Sequence, residues 1–82
     1  MFSIVDEQEN YLLVTDGVSF TVVERRAGRF YPLGKCSRPG VALDDAGVAK
    51  LFRESGHYAE PEARRLLGDV AGQWRDLWEH IR

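Results

Sequence analysis

From Pro61 to Arg82 apolar side chains return every three or four residues, at Ala63, Leu66, Leu67, Val70, Ala71, Trp74, Leu77, Trp78 and Ile81. That spacing predicts an amphipathic helix of roughly six turns, whose broad stripe with two indoles must press against a sheet, another helix or a second subunit. Pro61 suits its first turn, where no amide hydrogen is needed. Glu60 and Glu62 suit the positive end of the helix dipole and Arg82 the negative end. A shorter helix is predicted from Asp45 to about Ser55, with Asp44 capping its first amides and Gly56 ending it. Val48, Ala49, Leu51 and Phe52 make its narrow apolar face, while Gly47 is expected to weaken its first turn by about 1 kcal/mol relative to Ala.

Before Gly34 the pattern is that of strands, at Phe2 to Val5, Tyr11 to Val14, Val18 to Arg25 and Arg29 to Leu33, all rich in β-branched or aromatic residues. Asp16-Gly17 and Ala27-Gly28 read as two-residue hairpin loops. Taken so, they set Thr15 opposite Val18, Leu13 opposite Phe20, Tyr11 opposite Val22, Val22 opposite Leu33 and Glu24 opposite Tyr31. Tyr11, Leu13, Val18, Phe20, Val22, Tyr31 and Leu33 then share the expected core face. The other face carries Leu12, Val14, Ser19, Thr21, Val23, Arg25, Phe30 and Pro32, unusually apolar for a surface. It is either covered by the N-terminal segment or a helix, or it is a contact surface in which Leu12, Val14, Val23 and Phe30 form the partner patch. Leu33 to Gly40 reads as a loop, and Val41 to Leu43 as a short added strand.

These elements make an α+β fold: an antiparallel meander of three to four strands, a short helix, and a long C-terminal amphipathic helix packed on the sheet. The 82 residues, 44% of them hydrophobic, suffice for a single domain, with strands and loop over 1–43, the short helix over 44–56 and the long helix over 60–82. So short a chain buries only about 60% of its unfolded surface, which makes a second copy the easiest source of extra stability. Leu67, Val70, Trp74, Leu77, Trp78 and Ile81 are the expected contact, because steps of four and three along Ala63, Leu67, Val70, Trp74, Leu77 and Ile81 describe the seam of a left-handed helix pair. The single Cys36 cannot form an internal disulfide, and the first residues lack a secretory pattern, so a cytoplasmic location is expected. Charges interrupt every stretch long enough to span a membrane.

The formal net charge of −2 gives no general attraction to nucleic acid. Its distribution matters more. Asp6, Glu7, Glu9, Asp16 and Glu24 are the charges up to residue 24, whereas Arg25, Arg26, Arg29, Lys35 and Arg38 are those from 25 to 41. Cross-strand pairing between the two blocks is the plain explanation. The alternative is a surface for single-stranded nucleic acid, with Arg25, Arg26, Arg29, Lys35 and Arg38 on phosphates and Tyr31 and Phe30 stacking on bases. A helix-turn-helix with Arg64 and Arg65 early in its second helix is a further arrangement, opposed by Glu60 and Glu62 and by the width of the apolar face.

Nothing in the chain has the spacing of a catalytic, metal or nucleotide motif. Cys36, His57 and His80 are not placed as a ligand set, and the acidic pairs have local roles as caps or dipole partners. No cofactor and no enzymatic activity are expected. The expectation is a cytoplasmic interaction module, homodimeric, that binds a protein partner through its sheet or helical face; the alternative is a single-strand-binding or transcription-regulating protein using the basic hairpin.

Overall fold

Tyr11, Leu12, Leu13 and Val14 are all buried, and so are Thr21, Val22, Val23 and Glu24, although neighbouring side chains on a strand point to opposite faces. Both faces of the sheet must therefore be covered. The computed structural model describes the backbone of residues 1–33 and 39–81, and the side chains up to residue 73 within those ranges. It contains β1 (Ser3–Gln8), β2 (Tyr11–Thr15), β3 (Phe20–Arg26), β4 (Arg29–Pro32), α1 (Asp45–Ser55) and α2 (Glu60–Ile81). The strands form one antiparallel sheet in the order β1-β2-β3-β4, giving the α+β meander expected from the pattern.

The two helices divide the faces. Val48, Leu51 and Phe52 of α1 pack on Leu12, Val14 and Val23, with Phe2, Phe30, Val41 and Leu43 around them. Ala63 and Leu67 of α2 pack on Tyr11, Leu13 and Val22, with Phe20, Leu33, Tyr58, Leu66 and Val70 at the margin. The apolar second face is thus a second core. Leu12, Val14 and Val23 are 2%, 0% and 0% exposed and Phe30 is half-buried against the same cluster, so the proposed partner patch on that face is closed by α1. The physical reason lies in the narrow stripe of α1, which has no other apolar surface on which to lie. A helix-turn-helix is excluded on the same ground, since a sheet separates α1 from α2.

The β2–β3 connection is wider than expected. Thr15 faces Phe20, Leu13 faces Val22 and Tyr11 faces Glu24, so residues 16–19 form a four-residue loop. Asp16 Oδ1 accepts hydrogen bonds from the amides of Val18 (2.9 Å) and Ser19 (2.7 Å), and the Thr15 hydroxyl donates to the Ser19 carbonyl (2.8 Å). These side-chain bonds satisfy the backbone of the wider loop, which a tight two-residue turn would not need. The register slips by two residues, an even number, and so the faces are preserved. Only Val18 changes sides: it stands 88% exposed at the loop tip rather than in the core.

At the β3–β4 turn Glu24 faces Tyr31 and Arg26 faces Arg29 as expected, and Ala27 and Gly28 both have positive φ (51° and 77°), as a type I′ turn demands. Leu33 lies beyond the paired end of β4, where Pro32 faces Val23. Val41 makes one antiparallel bridge to Phe30 instead of a short strand. β1 is longer than its sequence pattern, running into Asp6, Glu7 and Gln8, and joins β2 across Glu9-Asn10, with Glu9 at φ 57°. Its pairing is broken by a bulge between Ile4 and Asp6.

α1 has the predicted ends. Asp44 accepts from the Gly47 amide at 2.7 Å, and Gly56, at φ 92°, donates to the Phe52 carbonyl at 3.0 Å. Residues 57–59 then carry the chain around the end of the sheet, held by a bridge in which Tyr58 exchanges both backbone hydrogen bonds with Phe20. α2 starts with an Arg64–Glu60 pair at 3.0 Å and keeps its helical backbone to Ile81.

One buried group is out of place in this core. Thr21 is 0% exposed on the α1 face and its hydroxyl has no hydrogen-bond partner among the described residues. An unsatisfied buried hydroxyl costs about 1 to 3 kcal/mol, and valine has nearly its shape. Thr21→Val is therefore expected to stabilise the fold by about 1 kcal/mol, raising the melting temperature by roughly 4 to 8 °C for a domain of this size. Thermal unfolding followed by circular dichroism checks this, and a lowered melting temperature would contradict it.

Candidate functional site

The expected helical contact is divided by what α2 touches. Ala63, Leu67 and Ala71 are buried and Leu66 and Val70 half-buried, so the stripe meets the sheet over about the first three turns of the helix. Of the expected contact residues, Leu67 is buried in the chain's own core and Val70 lies at its edge. Trp74, Leu77, Trp78 and Ile81 continue the same face along a described helical backbone, while their side chains lie outside the described residues.

The basic hairpin has its own acidic partners. Arg25 Nη2 lies 2.6 Å from Glu7 Oε1, bringing together the first and third strands of the sheet, and Arg26 Nε donates to Glu24 on the same strand. Glu24 is nearly buried, so its pair with Arg26 is shielded more than the half-exposed Arg25–Glu7 pair. Tyr31 is half-buried, and Gly40 lies against its ring: a Cβ added there would fall 2.8 Å from Tyr31 Cζ and 2.6 Å from Arg29 Cβ. Arg29 is exposed. Lys35, Cys36 and Arg38 lie outside the described residues, as does the side chain of His80. The pairing of opposite charge blocks expected from the sequence is present in Glu7–Arg25.

A feature not visible in the sequence is a cleft between α1 and the β2–β3 loop. Asp45, Val48, Ala49, Phe52 and Arg53 of α1 line it together with His57 just beyond the helix and with Asp16, Met1 and Phe2. The α1 residues share a helical strip because they recur at steps of three, one, three and one. The His57 ring sits on Phe52 with centroids 5.1 Å apart and planes inclined at 43°. The amides of Ser19 and then Val18 hold the Asp16 carboxyl below the usual carboxylate range, with a smaller contribution from His57. Helical spacing alone could have grouped the α1 residues. The arrival of Asp16 beside them follows only from the four-residue loop and the Tyr58 bridge.

Among the described residues no helix is long and apolar enough to cross a membrane, and no group of three or more His, Cys, Asp or Glu is gathered for a metal. No protein-family model matches this chain, and neither a curated protein nor a solved structure matches it. The functional reading therefore rests on geometry alone.

Proposed function

We propose that this chain is a small non-enzymatic interaction module, cytoplasmic, that pairs with a second copy of itself through the C-terminal half of α2. The observation that carries this reading is a mismatch of length. α2 has 22 residues, about 33 Å at 1.5 Å per residue. The longest strand has 7 residues, about 23 Å at 3.3 Å per residue. The sheet shelters the stripe from Ala63 to Ala71, and the same stripe continues for about three turns as Trp74, Leu77, Trp78 and Ile81. Two indoles and two branched chains on one side of a helix call for a partner surface, and steps of three and four suit an identical helix. With the second sheet face occupied by α1, the helical face is the support that remains for a protein contact. The nucleic-acid alternative draws less support, because Arg25 and Arg26 are engaged by Glu7 and Glu24.

Sedimentation equilibrium of the full chain at high micromolar concentration is expected to give a dimer, and Leu77→Asp with Trp78→Asp to give a folded monomer. A wild-type monomer under those conditions defeats the proposal. Titration of a fluorescent oligonucleotide at low salt separates the alternative, since the module as proposed does not bind it.

A further inference from the structure

We propose that the cleft beside α1 binds a small amphipathic carboxylate, with its charged head on Arg53 and His57 and its apolar tail along Val48, Ala49 and Phe52. The cleft encloses about 370 Å³, within the range of about 300 to 1,000 Å³ common to small-molecule sites. Val48 and Phe52 are 3% and 4% exposed and form a fixed apolar floor, while the exposed Ala49 leaves room above it.

The charges in the cleft are unequally satisfied. Asp16 spends Oδ1 on two backbone amides. Asp45 lies in the first turn of α1, where the helix dipole favours an acid. It stands eight residues from Arg53, about 12 Å along the axis, too far to neutralise it. Arg53 is exposed and makes no ion pair or side-chain hydrogen bond among the described residues. A planar guanidinium at the edge of an apolar floor matches a carboxylate, which it can hold with two parallel hydrogen bonds. His57, its ring resting on Phe52, supplies a further donor beyond the end of α1. A ligand with a cationic head would instead meet the charge of Arg53 and turn to Asp16 and Asp45, the opposite pose, which titration with an amine separates. This site lies on the α1 side of the sheet and does not depend on the pairing proposed for α2.

The test is a titration of the ¹⁵N-labelled full chain with 3-phenylpropionate, followed by amide shifts, beside a parallel titration with 3-phenylpropylamine. Saturable shifts centred on Val48, Phe52, Gly56 and His57 are expected with the carboxylate alone. Arg53→Gln is expected to weaken binding about tenfold through loss of a charge-assisted pair, with the rest of the amide spectrum unchanged, whereas Arg64→Gln on α2 leaves binding as it was. Absence of saturable shifts, an equal response to the amine, or unchanged binding by the folded Arg53→Gln variant would overturn the assignment.

Discussion

Leu51→Ala is expected to destabilise the protein by about 2 to 5 kcal/mol, the usual range for truncating a buried leucine. Leu51 is 1% exposed and belongs to the cluster by which α1 closes the Leu12, Val14 and Val23 face. Its loss leaves a cavity and also loosens the cover over the apolar cluster of Leu12, Val14 and Val23. A domain of this size has a total stability of roughly 5 to 10 kcal/mol, so the variant is expected to melt far lower or to unfold. Urea unfolding measures the change. If it stayed below about 1 kcal/mol, the value typical of exposed positions, α1 would not be the lid described here.

Gly47→Ala has an effect whose sign distinguishes local from tertiary reasoning. Helix propensity alone predicts a gain of about 1 kcal/mol on replacing a helical glycine by alanine. The packing says otherwise: a Cβ at position 47 would lie 2.0 Å from the Ala42 carbonyl oxygen and 3.2 Å from Asp44 Oδ1. The first obstacle is backbone and cannot turn aside, so the start of α1 must shift and strain the Asp44 cap. A loss of about 3 kcal/mol is expected, at the upper end of ordinary overpacking. Thermal unfolding of Gly47→Ala decides between the two, and a stabilised variant would refute the close approach.

The elements were largely legible because local signals agreed with the final packing. Asp44 and Gly56 bracket α1 as their chemistry requires, and Ala27-Gly28 turns the second hairpin with the predicted pairing of Glu24 and Tyr31. Asp16-Gly17 misled because a glycine after an aspartate satisfies the two-residue pattern, while the competing bonds of Asp16 and Thr15 appear only once Val18 and Ser19 are placed. Glu9-Asn10 offers no glycine, and so the sequence pattern ends the first strand at Val5 while β1 runs to Gln8. The uninterrupted apolar run Tyr11 to Val14 was the available sign of a sheet covered twice. Alternation alone could not say whether a helix or a partner covers the second side. Gly47 was legible as a weak helix residue but not as a contact point, because Ala42 approaches it only after Val41 has bridged to Phe30. The cleft was hidden for a similar reason, since Met1, Phe2 and Asp16 are distant in the chain from the α1 residues and meet them through tertiary register.

The sheet is complete at Pro32, but both coverings lie downstream, in α1 and α2. During synthesis at about 5 to 20 residues per second, the hairpins emerge from the ribosome seconds before any helix can dock, and for that interval the nascent ribbon is bare on its two oily sides. The bulge in β1 and the carboxylates of Asp6 and Glu7 beside it are suited to that exposed stage, since kinks and charges on a free border discourage stray ribbons from annealing to it.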